Sequence, residues 1–211
     1  MEQQLLEHKL AMFEREARSD FIKEHESEKE LSDFWYKKQL QFVALDKNTD
    51  IIDFNKDFVV ICVGINYTQH DEAEGSVMAT KDFSVRTVRK HLKQGIFKGN
   101  ERFHVVFTNL SPVITKEKWS QYTLCQQQRF LNLHIKNGQI QYNHIQKIKE
   151  LVEACWGKDK IVWVFHTTTL WKREGKKYLD EIVKNLGITN HRYLAQNLAI
   201  EYWDAERCQP F

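Results

Sequence analysis

The chain has 211 residues, 42% of them apolar and 28% charged, a globular composition far from the charged, apolar-poor make-up of disordered chains. Lys and Arg number 31 against 29 Asp and Glu, a net charge of +2 that neither demands nor excludes a nucleic-acid partner, so any basic surface must be local. The longest apolar stretches, 58–65 and 161–165, fall far short of the roughly 20 residues of a membrane-spanning helix, which excludes an integral membrane protein.

The opening, MEQQLLEHKL, is polar and acidic and lacks the basic flank and apolar stretch of a secretory signal, predicting a cytoplasmic location. The first 45 residues carry no Gly or Pro, and Leu6, Leu10, Phe13, Ala17 and Phe21 recur at helical spacing. A Glu-dense run over 24–30 separates this amphipathic helix from a second apolar series at Leu31, Phe34, Trp35 and Leu40. Residues 1–50 are therefore expected to form an α-helical hairpin, a packing appendage that offers a surface for self-association or a protein partner.

From residue 56 the texture changes. DFVVICVGIN is a short β-branched run that reads as a buried strand. After the acidic loop HDEAEGS, a helical stretch places Phe83, Val85, Val88 and Leu92 on one face and stops at Gly95. RFHVVFTNLSPVI is a second strand, 116–133 and 142–156 read as helices, and Gly157 punctuates the latter. KIVWVFHTTTLW is a third strand, followed by a helix over 174–185 with Gly187 as its cap and a short strand over 191–195. Strand and helix alternate, so residues 51–211 are expected to form an α/β domain, a three-layer sandwich around a mostly parallel sheet. Cys62, Cys125, Cys155 and Cys208 are widely spaced and read as buried thiols; there is no CxxC zinc pattern, and neither a metal nor a cofactor is expected.

In parallel sheets ligands collect beyond the carboxyl ends of the strands. Here those ends carry Gly64-Ile65-Asn66, Thr108-Asn109-Leu110-Ser111 and His166-Thr167-Thr168-Thr169, neutral polar groups suited to a base or nucleoside. Asn66 can hold a water by its oxygen or bond a ring edge; it can equally take a left-handed turn conformation. Asn109 can pair bidentately with a base, or form an Asx turn ahead of Pro112. His70, Asp71, Glu72 and Glu74 offer general bases, although a solvated loop accounts for the same residues. His166 is placed either to titrate or to bond a backbone carbonyl. Trp171, Lys172 and Arg173, with Lys176 and Lys177, form a basic and aromatic cluster that suits contact with a DNA backbone and base stacking, although a solvated helix start accounts for it as well. Walker, GxGxxG, GxSxG and HExxH motifs are absent, which argues against common NTPases, dinucleotide enzymes, hydrolases and zinc proteases.

VVICVGIN, HVVFTNLSP and IVWVFH together resemble the strand grammar of the uracil-DNA glycosylase superfamily, nearest to its mismatch-specific and thymine-DNA glycosylase branch. Gly64, Ile65 and Asn66 match the first three positions of that branch's Gly-Ile-Asn-Pro-Gly motif, while Tyr67 and Thr68 depart from it. The resemblance implies that Asn66 positions the attacking water, that Thr108 and Asn109 line the base pocket, and that Tyr67 or Phe83 stacks on the base. The family's Pro-Ser wedge motif is missing from YLAQNLAIEYW, where Asn197 is the polar equivalent. The implied activity is hydrolysis of the N-glycosidic bond of a damaged or modified DNA base, with DNA or a nucleotide as ligand. Two alternatives remain open: a catalytically inactive glycosylase-like fold that binds DNA or protein, and a small nucleotide- or nucleoside-processing enzyme.

Overall fold

Strands built mainly from Val, Ile and Phe carry the fold of the computed structural model, which describes residues 2–25, 27–45, 53–55, 57–68, 92–93, 97, 102–117, 121–136, 139–167 and 174–195. In chain order these form α1 (Glu2–His25), α2 (Lys29–Ser32), β1 (Trp35–Leu40), β2 (Ala44–Leu45), β3 (Phe58–Gly64), β4 (Tyr67–Thr68), β5 (Phe103–Asn109) and β6 (Val113–Thr115). They continue as α3 (Leu124–Asn132), β7 (Ile135–Lys136), β8 (Gln139–Ile140), α4 (Asn143–Trp156), β9 (Ile161–Thr167), α5 (Glu174–Asn185) and β10 (His191–Ala195).

The main sheet has the order β10-β9-β3-β5-β2; its first four strands run parallel and the edge strand β2 runs antiparallel. Because side chains alternate across a strand, β3 turns Val59, Ile61 and Val63 to one face and Val60 and Cys62 to the other, and all five are buried. The first face shares one core with Leu6 and Leu10 of α1, Ile145, Ile148 and Val152 of α4, and Leu179 and Ile182 of α5. The second packs against Leu92 and Phe97. Burial raises the Cys62 thiol to about 12, while Cys125, expected to be buried, is exposed.

Two of the three expected glycine stops are where the sequence places them, and the third, Gly95, lies outside the described residues. Gly157 ends α4 at φ 75°, and Gly187 follows α5 at φ 60°, left-handed backbone that glycine adopts without a Cβ clash. The helix expected over 116–133 begins only at Leu124. Val113–Thr115 is held as a strand by β1, and Thr123 caps the helix, its hydroxyl accepting the Gln126 N–H while Gln126 Oε1 accepts the Thr123 N–H at 2.9 Å.

The expected second helix of the N-terminal hairpin is corrected by the structure. It amounts to one turn, α2, and the chain then enters β1, antiparallel to β6. Lys37 and Lys38 take positive φ of 45° and 54°, bulging the strand so that Trp35 and Leu40 both turn inward, and the Trp35 indole donates across the bulge to the Gln39 carbonyl at 2.7 Å. A turn plus a bulge thus reproduces the spacing of a helical stripe. α1 is the helix the periodicity predicts: Leu6 and Leu10 are buried, each worth about 1.5–3 kcal/mol of apolar transfer, and Arg18 ties α1 to the Leu40 carbonyl at 2.7 Å. Among the described residues no helix is long and apolar enough to cross a membrane.

Candidate functional site

The carboxyl ends of β3 and β5 meet in register, with Gly64 opposite Asn109. Pairing continues beyond them, because the Leu110 N–H donates to the Gly64 carbonyl and the Ser111 N–H to the Ile65 carbonyl, both at 2.9 Å. Beyond this point the chains re-pair as β4 and β6, which join β1 in a second sheet of order β1-β6-β4. The Asn109 carboxamide lies directly over Gly64, where a Cβ would collide with its oxygen. Glycine at position 64 is thus what admits the Asn109 side chain.

Asn66 is clamped through its nitrogen. Nδ2 donates to the Tyr67 carbonyl at 2.9 Å and to Thr115 Oγ1 at 2.7 Å. Thr115 is fully buried, and its own proton has the Tyr67 and Glu117 carbonyls within 3.1 and 2.9 Å. No donor among the described residues meets Asn66 Oδ1, so the amide is fixed in orientation with its oxygen uncommitted. Other residues singled out in the sequence hold the fold. Ile65 belongs to the core, the Thr108 hydroxyl donates to the Phe42 carbonyl at 2.9 Å, and Tyr67 is buried with its hydroxyl donating to the Phe107 carbonyl at 3.3 Å. Tyr67 therefore offers no open ring to stack on a base. Val63 pairs with Phe165, which sets the backbone of His166 level with Gly64. The His166 side chain, Asp71, Phe83, Trp171, Lys172, Arg173 and Asn197 lie outside the described residues.

Leu110 and Pro112, just past β5, form one wall of a cavity of about 520 Å³, within the usual range for small-ligand sites. Its floor is aromatic: the Phe42 ring meets Phe13 and Phe21 edge-to-face at 6.1 and 6.2 Å and the His144 ring at 5.7 Å. Its rim is acidic, with Glu16, Asp20 and Glu24 at four-residue intervals along α1 and Glu28 just beyond. Among the described lining residues Lys136 is the one fixed cation, and it is bonded to Glu24, whose carboxyl it holds below its usual range.

A buried histidine, His134, and a half-buried one, His144, complete the walls. His144 Nε2 lies 2.7 Å from the Asn109 carbonyl oxygen. A carbonyl only accepts, so Nε2 carries the proton and the neutral ring presents Nδ1 as an acceptor. Burial pushes His144 down to about 4, against the smaller upward pull of that hydrogen bond. His134 is pushed to about 3, first by burial and then by repulsion from His144 and His25, and its Nε2 has no partner among the described residues.

No protein-family model, curated protein or solved structure matches this chain. Its site therefore has to be read from its own chemistry.

At the opposite, amino edge of the sheet, Asp57 accepts from the Asp53 N–H at 2.9 Å and pairs with His104 at 2.8 Å and Arg102 at 3.4 Å. Burial alone would raise the Asp57 carboxyl; these partners hold it below its usual value. His134, His144, Asp57 and His104 were not found by sequence reasoning. No motif marks them, because their burial is a property of the assembled sheet and helices. Among the described residues no group of three or more His, Cys, Asp or Glu is placed to hold a metal ion.

Proposed function

We propose that the carboxyl edge of β3 and β5 binds a nucleobase and hydrolyses the N-glycosidic bond joining it to a sugar, the activity implied by the resemblance to the uracil-DNA glycosylase superfamily. The observation that carries this reading is the Asn66 carboxamide, whose nitrogen is consumed by Tyr67 and Thr115 and whose oxygen is left to accept from a water. The electron pair of the breaking C–N bond leaves with the base, the sugar cation takes the water oxygen, and the water's proton is released. Asn109, seated over Gly64 beside this position, reads the base edge. In this reading the two apolar faces of the main sheet are the inner surfaces of a three-layer sandwich.

One observation favours the nucleoside-processing alternative over a DNA substrate. The cavity walled by Leu110 and Pro112 carries four carboxylates on its rim, which repel a phosphate backbone but not an uncharged nucleoside.

The test uses two arms on the full chain. Duplex and single-stranded oligonucleotides carrying uracil, mismatched thymine or modified cytosine are incubated, treated with alkali and scored for strand cleavage. Deoxyuridine, thymidine and inosine are scored by chromatography for free base. Release in either arm that is lost in Asn66→Ala supports the reading and assigns the substrate. Release unchanged in Asn66→Ala, or absent from both arms, overturns it.

A further inference from the structure

The two carboxamides at the strand ends are held in different ways. Asn66 is gripped at the side chain itself, by the Tyr67 carbonyl and by Thr115. The Asn109 carboxamide has no such grip among the described residues; it is placed by its backbone and by its seat over Gly64. On the outer side of β5 the paired residues are Ala44 opposite Phe107 and Leu45 opposite Val106, so the Asn109 backbone lies past the end of that pairing. Any play in this stretch of main chain would carry the carboxamide with it, and displacing a binding group by about 1 Å can cost about a hundredfold in turnover.

His144 closes that gap. It stands in the first turn of α4, and its Nε2–H donates to the Asn109 carbonyl at 2.7 Å. Its ring meets the Phe42 ring edge-to-face at 5.7 Å, and the Phe42 carbonyl accepts the Thr108 hydroxyl at 2.9 Å. Consecutive residues at the end of β5 are thus tied to one bracket, Thr108 through Phe42 and Asn109 through His144. We propose that His144 is a positioning residue, holding the Asn109 main chain so that the carboxamide stays over Gly64 and meets the base in one orientation. Its effect on turnover rests on the proposed reading of the base by Asn109: His144 acts through Asn109 on binding, not on the water that Asn66 holds.

The experiment has a spectroscopic and a kinetic arm, both on the full chain. A long-range proton–nitrogen spectrum of the native chain at neutral pH, which needs no variant, should show His144 as the Nε2-protonated tautomer. Side-chain nitrogen relaxation should show the Asn109 NH2 group losing order in His144→Phe, which keeps a ring against Phe42 but cannot donate. His144→Gln, which can donate, should restore that order, and the Asn66 NH2 group should be unchanged in both variants. In base release, His144→Phe should raise KM about five- to tenfold, the worth of one net hydrogen bond, with kcat within about twofold of native. A purely structural loss would instead lower kcat by the unfolded fraction and leave KM alone. The proposal is overturned if His144 is the Nδ1-protonated tautomer, if the Asn109 group is as ordered in His144→Phe as in the native chain, or if KM does not move. Absence of base release from the native chain overturns the function proposed above, and the tautomer and relaxation measurements then decide the brace by themselves.

Discussion

Acid should loosen this fold well before its carboxylates titrate. His134 and His144 are neutral in the folded chain, with values of about 3 and about 4, whereas an exposed histidine in the unfolded chain takes its proton near 6.5. As pH falls below 6.5 the unfolded chain binds up to two more protons than the fold, and stability drops by about 1.4 kcal/mol per pH unit for each ring. Between pH 7.5 and pH 5 the loss comes to about 2 kcal/mol per ring and about 4 kcal/mol for the pair, a large part of the 5–15 kcal/mol typical of a domain. The loss continues until pH reaches the folded values. Glu14, whose carboxyl is raised chiefly by burial, opposes the trend as its own range is approached, so the comparison is best made above pH 5. Urea unfolding at half-unit intervals from 7.5 to 5 measures it, with the His134→Gln, His144→Gln double variant as control. A native chain equally stable at both ends of that range would refute the reasoning, as would a double variant that keeps the native slope.

Three further outcomes are expected. Gly64→Ala drives a methyl into the Asn109 carboxamide; it should cost about 1–3 kcal/mol in urea unfolding and, where base release is observed, remove it through displacement of Asn109. Thr115→Val keeps the shape of the side chain but takes away an acceptor of the Asn66 amide, so a loss of about 1–3 kcal/mol should accompany reduced turnover, and full activity would separate Asn66 from the clamp. Leu10→Ala empties a buried position between α1 and the core and should cost about 2–5 kcal/mol by the same assay, whereas truncation of exposed Met12 to Ala should leave the urea midpoint nearly unchanged.

The strands of the main sheet were legible because each is a short run of β-branched and aromatic residues bounded by polar or glycine signals, a pattern that needs no knowledge of neighbours. β1 was not. Leu31, Phe34, Trp35 and Leu40 fit a helical period, and only the distant partner Val113–Thr115, together with the two left-handed lysines, makes the segment a bulged strand. The same limit applies to the site. Gly64, Asn66 and Asn109 stood out by their position at strand ends, and the register does bring Gly64 and Asn109 together. Tyr67 and Thr108 shared that position, yet their hydroxyls went to backbone carbonyls 40 and 66 residues away. The α1 stripe was read as a packing face that also offers a surface for self-association or a protein partner; its first half enters the core, and Phe13, Ala17 and Phe21 line the cavity.

The passage of two neighbouring strands from one sheet into the other has a mechanical consequence. β3 leads into β4 and β5 into β6 through links of two and three residues, and the bonds from Leu110 to Gly64 and from Ser111 to Ile65 stitch the two crossings together. The sheets thus share a doubled spine, and swinging one against the other would have to unzip it. The amides of Leu110 and Ser111, held in that spine, should therefore exchange with deuterium as slowly as those at the centre of a strand.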